Sequence, residues 1–242
     1  MSQVVVVTGG AGGIGSAICR ALAEDGHSVV VADFNGEGAQ ALVADIEKAG
    51  GQALAVPVDV GDKTSVDGMV AAAIDKYGRI DVQLNAAGVI KRCPVLDMPA
   101  EEWERVIRVN LTGLFLCSQA AGRHMAERKS GRIINVASGR GVTGQAMGSH
   151  YAASKGGVIT FTKTLAIELA PYNVTANAIG PGATETDMAR AGMSEEQWSR
   201  KQATSPLLGG FTQKDEITGL IRYLISDAAR YISGQLFLLR TA

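Results

Sequence analysis

Residues 4–15 read VVVVTGGAGGIG and give the clearest indication of the fold. Four consecutive valines predict a strand buried on both faces, which is typical of a parallel sheet covered by helices. The glycines after it permit a tight turn and close backbone approach to a ligand, and a helix pattern follows at once. Strand, glycine turn and helix in this order predict a dinucleotide-binding turn, although a turn without a ligand is the alternative. The residues expected to contact the nucleotide are Thr8, Gly9, Gly13, Ile14 and Gly15.

Short β-branched segments alternate with helical patterns along the rest of the chain. The predicted strands are Val4–Val7, Ser28–Ala32, Ala53–Val58, Ile80–Leu84, Arg132–Val136, Val174–Ala178 and Gln235–Leu239. The predicted helices are Gly15–Asp25, Gly36–Lys48, Lys63–Tyr77, Ala100–Arg128 with a break near Asn110, Tyr151–Ala170 and Lys214–Ser226. This alternation predicts an α/β fold, a doubly wound (Rossmann) parallel sheet of about seven strands with helices on both faces. Residues 1–242 are expected to form a single domain, with a substrate lid around 183–211 and a helix near Glu195–Lys201.

The composition excludes several classes of protein. The 242 residues are 46% hydrophobic with a net charge of −1, and no basic cluster indicates a nucleic-acid or membrane partner. The three cysteines are odd in number and lack metal-type spacing, so neither a disulfide framework nor a metal is expected. The amino terminus has no basic signal-peptide region, and no apolar run is long enough to span a bilayer. A cytoplasmic protein acting on a small-molecule substrate is therefore expected.

Polar residues follow three of the predicted strands. Asp33 ends the second strand, where a carboxylate meets the ribose hydroxyls of an adenosine and repels a 2′-phosphate. Residues 34–36 contain no basic residue to receive that phosphate, so NAD is predicted over NADP. Asp59 and Val60 follow the third strand, where they would flank an adenine. Residues 85–88 follow the fourth strand, and Asn85, Ala86 and Gly88 are expected to contact the cofactor. For Asp59-Val60 alone, or for residues 85–88 alone, a helix cap or turn is an equally good interpretation.

Tyr151 and Lys155 are one helical turn apart and so project from the same face of a helix. A neighbouring ammonium stabilises phenolate and is expected to lower the pKa of the tyrosine. A tyrosine adjusted in this way exchanges a proton with a hydroxyl or carbonyl group. The pair is therefore the predicted acid/base centre.

These motifs occur in the order found in the short-chain dehydrogenase/reductase family, which the chain resembles from the first strand to about Gly234. The shared motifs are Thr8-x-x-x-x-Gly13-x-Gly15, Asp59, Asn85-Ala86-Ala87-Gly88, Asn110, Ser138, Tyr151-x-x-x-Lys155, Pro181-Gly182 and Thr184-x-Thr186. The resemblance implies an enzyme that interconverts a secondary alcohol and a ketone by hydride transfer. The chain departs from the family at its end, where Arg240-Thr241-Ala242 follows the last strand and Asp-Gly-Gly is missing.

The resemblance also implies a role for each catalytic position. Tyr151 is the general acid/base, and Lys155 lowers the pKa of Tyr151 and holds the nicotinamide ribose. Ser138 hydrogen-bonds the substrate oxygen, and Asn110 anchors a water in a proton relay. The segment that clasps the nicotinamide carboxamide corresponds to Pro181, Gly182, Thr184 and Thr186.

The substrate is less constrained by the sequence. Lys91, Arg92 and Arg140 are candidates for a cationic rim around a carboxylate, with ordinary solvated side chains as the alternative. Gln145 and His150 add hydrogen-bonding groups near the mouth. Two stretches resemble gluconate 5-dehydrogenase-like members, so a sugar acid or polyol is the expected substrate.

Two alternative functions remain open. A 3-oxoacyl-thioester reductase is the enzymatic one, opposed by Asp33 and by Tyr172-Asn173 in place of a basic residue. A non-catalytic nucleotide-sensing or scaffold protein is the other, opposed by the complete set of catalytic residues. The apolar helices around Leu111–Met125 and Val158–Leu169 resemble the family's subunit contacts, which implies a homotetramer or homodimer.

Overall fold

The computed structural model describes residues 2–186, 190, 194–203 and 211–239. Seven strands form one fully parallel sheet in the order β3-β2-β1-β4-β5-β6-β7. They are β1 (Val4–Thr8), β2 (Ser28–Asp33), β3 (Gln52–Pro57), β4 (Val82–Asn85), β5 (Gly131–Val136), β6 (Val174–Gly180) and β7 (Leu236–Leu238). The order reverses between β1 and β4, which creates the crevice where open α/β sheets bind ligands. The predicted Rossmann sheet in a single domain is confirmed.

Helices cover both faces of the sheet. They are α1 (Gly13–Glu24), α2 (Gly36–Lys48), α3 (Lys63–Tyr77), α4 (Ala100–Ile107), α5 (Leu114–Arg128), α6 (Arg140–Thr143), α7 (Ser149–Leu169), α8 (Glu195–Ala203) and α9 (Lys214–Ile225). Short 3-10 turns occur at Val95–Asp97, Ala170–Tyr172 and Asp227–Ala229. A π-helix, Arg108–Gly113, joins α4 to α5 at the break expected near Asn110.

The valine strand lies at the centre of the core because β1 is buried along its whole length. Alternate valines contribute to two apolar clusters, one on each face of the sheet. Val5 and Val7 pack towards α1, α2 and α9, whereas Val6 packs towards α3, α5 and α7. This two-sided burial explains why β1 has no polar alternation.

A chain of buried side-chain amides crosses the face of the sheet beneath α5 and α7. The Asn85 amide on β4 donates to Asn135 on β5 at 2.8 Å and to Ser118 on α5 at 2.9 Å. Asn135 in turn donates to Thr162 on α7 at 2.9 Å, and the Thr162 hydroxyl donates to the Val158 carbonyl at 2.7 Å. The chain ties the middle of α7 to two central strands, and buried polar groups of this kind need their partners.

Three sequence expectations reach beyond what the described residues show. Phe115 on α5 and Ile167 on α7 are exposed apolar side chains, and assembly through these helices stays a prediction. The expected lid, 183–211, lies partly outside the described residues, and a parallel bridge between Thr184 and Thr212 joins its two ends. The unusual carboxyl-terminal residues 240–242 also lie outside them. No helix in the described part of the chain is long and apolar enough to span a bilayer.

Candidate active site

A cavity of about 1260 Å³ opens at the carboxyl ends of the strands, where the strand order reverses. Thr8 and Asn85 are register partners at the ends of β1 and β4, so the loops after these two strands meet at one place. Most of the residues expected from the sequence line this cavity. They are Gly9, Gly13, Ile14, Gly15, Asp33, Asp59, Val60, Ala86, Gly88, Lys91, Arg92, Ser138, Arg140, Gln145, Tyr151, Lys155, Pro181, Gly182, Thr184 and Thr186.

The glycine turn has a shape that other residues would not fit. Gly9 has a φ of +69°, and a Cβ there would lie 2.7 Å from the Ala87 amide nitrogen. A Cβ on Gly15 would lie 2.1 Å from the Gly9 carbonyl oxygen, so α1 begins in direct contact with the turn. The N-cap residue, Gly12, offers no side-chain cap to this helix end. The first turn of α1 therefore has backbone N–H groups available to an anion, which fits a pyrophosphate.

Asp33 lies at the end of β2 beside this turn. Its carboxylate accepts hydrogen bonds from the Ala11 and Asn35 backbone amides, each at 2.9 Å. These bonds fix the carboxylate at the cavity wall without using all of its lone pairs. The next residue, Phe34, also lines the cavity and is 81% exposed, so its ring is free to stack on a planar base. Sequence reasoning missed Phe34, although its place directly after Asp33 at a strand end was a usable signal.

Asp59 and Val60 form the neighbouring part of the wall. The Asp59 carboxylate accepts from the Gly61 amide at 2.8 Å and pairs with Arg108 at 3.1 Å. Arg108 belongs to the π-helix, and Gly113 at the other end of that helix packs closely against Val60. The π-helix thus brings a cation to the cavity, and such helices occur frequently at functional sites.

Ser138, Tyr151 and Lys155 meet at the opposite end of the cavity. The Ser138 side chain lies near the Tyr151 hydroxyl and acts to lower its pKa, and the Lys155 ammonium lies 5.8 Å from the centre of the Tyr151 ring. Lys155 Nζ donates to the Val136 carbonyl at 2.6 Å, which anchors the long side chain to the end of β5. One hydroxyl pair and one ammonium therefore face the same space, as the sequence predicts.

The electrostatics of this triad differ from the sequence expectation. Burial raises the pKa of Tyr151, whereas its hydrogen bond with Ser138 and the charge of Arg140 lower it. Burial also lowers the pKa of Lys155 to about 8. The expectation that Lys155 lowers the pKa of Tyr151 is wrong, because the pKa is raised, with burial as the largest cause. A side chain's burial depends on the folded packing, so it is invisible in a four-residue spacing.

Asn110 is fully buried behind the cavity wall. Its amide oxygen accepts from the Val89 N–H at 2.7 Å, and its nitrogen donates to the Val89 carbonyl at 2.9 Å and to Ser154 at 3.3 Å. A Cβ on Gly88 would lie 3.4 Å from the Asn110 oxygen and 3.8 Å from Lys155 Nζ, so only Gly88 separates the two side chains. Asn110 holds the loop after β4 in place, and its role in a water relay stays a prediction.

Besides Asn110, three expected site residues do not line the cavity. Thr8 is buried at the end of β1, where its carbonyl accepts from the Ala86 amide. Asn85 is the last residue of β4, and its side chain donates to Ser118 and Asn135 in the buried amide chain described above. His150 was expected at the mouth but is fully buried on α7, 3.7 Å from Glu102, because it faces α4.

The segment after β6 closes over the glycine turn. Thr186 packs against Gly13, since a Cβ on that glycine would lie 3.0 Å from the threonine Cγ2. The Thr184 hydroxyl donates to the Gly182 carbonyl at 3.2 Å, which holds the segment in a compact turn. Pro181, Gly182, Thr184 and Thr186 therefore cover the same space that the glycine turn borders, as expected for a segment over a nucleotide.

Two arginines at the cavity were missed from the sequence. Arg105 and Arg108 both line it, and they lie three residues apart on one helical face. The three-residue spacing of these arginines is visible in the sequence. The change from α-helix to π-helix at Arg108, which sets the helix face that meets the cavity, is not visible there. The substrate-end candidates Lys91, Arg92, Arg140 and Gln145 line the cavity as expected.

Known proteins resemble this chain in sequence and in fold. A family model described as short chain dehydrogenase matches residues 3–197. The chain is 43% identical to the 3-oxoacyl-[acyl-carrier-protein] reductase of Synechocystis sp. over 98% of this chain and 94% of that protein. It is 37% identical to the 3-oxoacyl-[acyl-carrier-protein] reductase of Thermotoga maritima over 96% and 94%. The crystal structure of levodione reductase superposes with a TM-score of 0.94 at 31% identity, covering 98% of this chain and 96% of that one.

The site is that of an oxidoreductase. The chain belongs to the short-chain dehydrogenase family, since the family model covers most of it and these relatives span nearly its whole length. The expectation of an enzyme is thereby confirmed, and the scaffold alternative is set aside.

Proposed function

We propose that the protein is an NAD(H)-dependent oxidoreductase that interconverts a secondary alcohol and a ketone. The observation that carries the proposal is the presence of Ser138, Tyr151 and Lys155 in the same cavity as Asp33 and the glycine turn. The turn and the amino terminus of α1 would hold the pyrophosphate, Asp33 the adenosine ribose, and Lys155 the nicotinamide ribose. When bound, the nicotinamide ring supplies the hydride acceptor or donor.

The protein's own residues handle the proton. In reduction, the Tyr151 hydroxyl donates its proton to the substrate carbonyl oxygen while Ser138 hydrogen-bonds the same oxygen. The Lys155 ammonium stabilises the phenolate that remains on Tyr151. In oxidation the steps reverse, and Tyr151 accepts the hydroxyl proton of the substrate.

A sugar acid or polyol is the substrate that we propose from the polar rim of the cavity. The second candidate is a 3-oxoacyl thioester, which the names of the two reductases favour. Two features oppose it: Asp33, which disfavours NADP, and the lack of a basic side chain at Tyr172-Asn173. Tyr172 is half exposed, and neither it nor Asn173 carries a charged side chain at this corner.

A substrate panel tests the proposed function. We expect gluconate, xylitol, 3-hydroxybutyrate or a 3-hydroxyacyl thioester to be oxidised with NAD, followed by the absorbance of NADH. Turnover of a sugar acid or polyol at least about tenfold above the thioester, in kcat/KM, supports the first candidate. The opposite ranking supports the second. Failure of every alcohol and ketone with both NAD and NADP would reject the proposed function.

The pH dependence of reduction should report on Lys155. Because its pKa is lowered to about 8, the ammonium is present below that pH and is lost as the pH rises through it. Without the charge, the phenolate left on Tyr151 is less stable and proton donation is slower. We expect kcat for ketone reduction to fall about tenfold per pH unit above that value, measured with saturating NADH from pH 6 to 10.

The Lys155→Met variant is the matched comparison for this profile. It should be slow at every pH and should lack the falling limb, because it has no ammonium to titrate. A flat wild-type profile up to pH 10, or a falling limb that persists in Lys155→Met, would show that another group controls the rate.

A further inference from the structure

The cavity carries far more positive charge than the chain as a whole. The protein has a net charge of −1. The described residues lining the cavity nevertheless include six cationic side chains and only two carboxylates. The cations are Lys91, Arg92, Arg105, Arg108, Arg140 and Lys155, and the carboxylates are Asp33 and Asp59. Such an imbalance raises the local concentration of anions.

Internal ion pairs neutralise two of the arginines. Arg108 pairs with Asp59 at 3.1 Å. Arg105 bonds Glu102 through two nitrogens, at 2.8 Å and 3.0 Å, and this also lowers the pKa of that carboxyl. Lys91 adds to the positive potential at Glu102, but both oxygens of this carboxylate already accept from Arg105. The charges of Arg105 and Arg108 are therefore already balanced by carboxylates of the protein.

Besides the catalytic Lys155, three cations that line the cavity have no such partner. Among the residues that the structure describes, Lys91, Arg92 and Arg140 form no ion pair with a carboxylate. The pyrophosphate of a dinucleotide would not meet this need, because it is held at the glycine turn by the amino terminus of α1. We call Lys91, Arg92 and Arg140 the cationic rim.

The cationic rim stands on two loops that are joined to each other. Lys91 and Arg92 follow β4, and Arg140 is the first residue of α6. The Cys93 amide donates to the Met147 carbonyl at 2.9 Å, so the two loops are fixed relative to each other. Met147 holds a left-handed φ of +57°, a costly conformation for a side chain of this size. Strain of this kind is found where a functional loop is over-determined by its surroundings.

Arg140 connects the cationic rim to the reacting atoms. Its backbone amide donates to the Ser138 hydroxyl oxygen at 3.2 Å, and its side chain lines the cavity. Its charge also acts on the Tyr151 hydroxyl. A group bound by the Arg140 guanidinium would therefore lie beside the carbonyl carbon that Ser138 and Tyr151 address.

We propose that the substrate carries an anionic group, and that Lys91, Arg92 and Arg140 bind it beside the carbon that is oxidised or reduced. This inference rests on the proposed function and narrows it, because a neutral polyol would leave the cationic rim without a partner. A carboxylate on the substrate itself and a phosphate on an attached carrier offer the same chemistry. Guanidinium binds either one through paired hydrogen bonds.

The first experiment separates these sources of charge. Three ketones are reduced with NADH: 5-oxogluconate, which has a carboxylate; acetoacetyl-coenzyme A, which has phosphates; and acetoacetyl-N-acetylcysteamine, which is neutral. Each is assayed with the wild type, Arg140→Gln, and the Lys91→Gln/Arg92→Gln double variant. Arg20→Gln is the control, since Arg20 pairs with Asp45 outside the cavity.

The anionic ketone whose charged group matches that of the substrate should show a kcat/KM lower by about tenfold or more in each cationic-rim variant, mainly because KM rises. The neutral thioester should change less than about twofold in the Lys91→Gln/Arg92→Gln variant, and Arg20→Gln should behave as the wild type. In Arg140→Gln the neutral thioester also reports the effect of the lost charge on Tyr151, so the anionic ketone should lose more than the neutral one. The ketone that loses most identifies carboxylate or phosphate as the bound group. Equal losses for neutral and anionic ketones, or no loss at all, would overturn the inference while leaving the proposed function intact.

A second experiment needs no turnover. The enzyme with bound NADH is titrated with malonate and with inorganic pyrophosphate, and the thermal midpoint is recorded. At least one of the two anions should stabilise the wild type, because a ligand that binds only the folded state raises the midpoint. The triple variant Lys91→Gln/Arg92→Gln/Arg140→Gln should lose this response but keep the stabilisation by NADH. Identical responses in both proteins, or no response in the wild type, would refute the cationic rim as an anion site.

Discussion

Replacing Tyr151 with Phe is expected to lower kcat by about 10²–10⁴-fold, the usual contribution of a positioned general acid or base. The change removes only the hydroxyl, whose pKa the neighbouring Ser138 helps to set. The ring remains beside Lys155, and Lys155 keeps its bond to the Val136 carbonyl. The dissociation constant for NADH should therefore stay within about twofold of the wild type, because the ring contributes packing and not charge. Stopped assays of ketone reduction and a fluorescence titration of NADH measure the two quantities.

Tyr223→Phe is the matched control for this experiment. Tyr223 is a half-exposed residue on α9, on the far side of the sheet from the catalytic residues, so loss of its hydroxyl should leave kcat unchanged. Near-normal turnover in Tyr151→Phe would remove Tyr151 from the proton path. A collapse of NADH binding in the same variant would instead assign it a role in holding the nucleotide.

NADH should bind at least about 100-fold more tightly than NADPH. Both oxygens of Asp33 accept backbone N–H bonds, so the carboxylate is held at the cavity wall and cannot swing away from a 2′-phosphate. Two like charges about 5 Å apart repel by roughly 3 kcal/mol at an effective dielectric constant near 20, which exceeds the free energy of a 100-fold difference. Fluorescence titration with both reduced nucleotides gives the ratio directly.

The variant Asp33→Ser should reduce this ratio to about tenfold or less, by weakening NADH binding and removing the repulsion of NADPH. Asp45→Ser, which removes an exposed carboxylate paired with Arg20, is the control and should preserve the preference. Comparable affinities in the wild type would contradict the assignment of Asp33 and would place the selectivity elsewhere in the site.

Much of the fold follows from local signals in the sequence. The bounds of α2 and α3 agree with the predicted Gly36–Lys48 and Lys63–Tyr77. Asn35 and Asp62 cap these helices by accepting backbone N–H bonds, and Gly78 ends α3 in a left-handed conformation. Such caps involve residues close in sequence, which is why the sequence alone locates them. The short helix α6 was missed because four residues give too few periods to detect.

The sequence predicts site residues whose role depends on backbone geometry better than those whose role depends on the direction of a side chain. Gly9 and Gly15 are required by close backbone contacts, and the glycine pattern shows them. Asn85 and His150 were expected at the cavity but point elsewhere, because moving by a single residue along a strand or helix changes the direction in which a side chain points. The pKa of Tyr151 depends on desolvation by residues far away in sequence, so no local spacing could reveal its direction.

The buried amide chain that captures Asn85 has a consequence for how the enzyme keeps its catalytic geometry. Apolar packing alone would let α7 slide along the sheet at little cost, since one aliphatic contact can replace another. Thr162 prevents this, because its bond from Asn135 exists at only one position of the helix. A shift of α7 by one turn would leave the buried Asn135 amide nitrogen without its Thr162 acceptor, at a cost of about 1–3 kcal/mol. The amide chain thus fixes the position of α7 along the sheet. Tyr151 and Lys155 lie 11 and seven residues before Thr162 on this helix, so the same bond fixes their position relative to the strand ends.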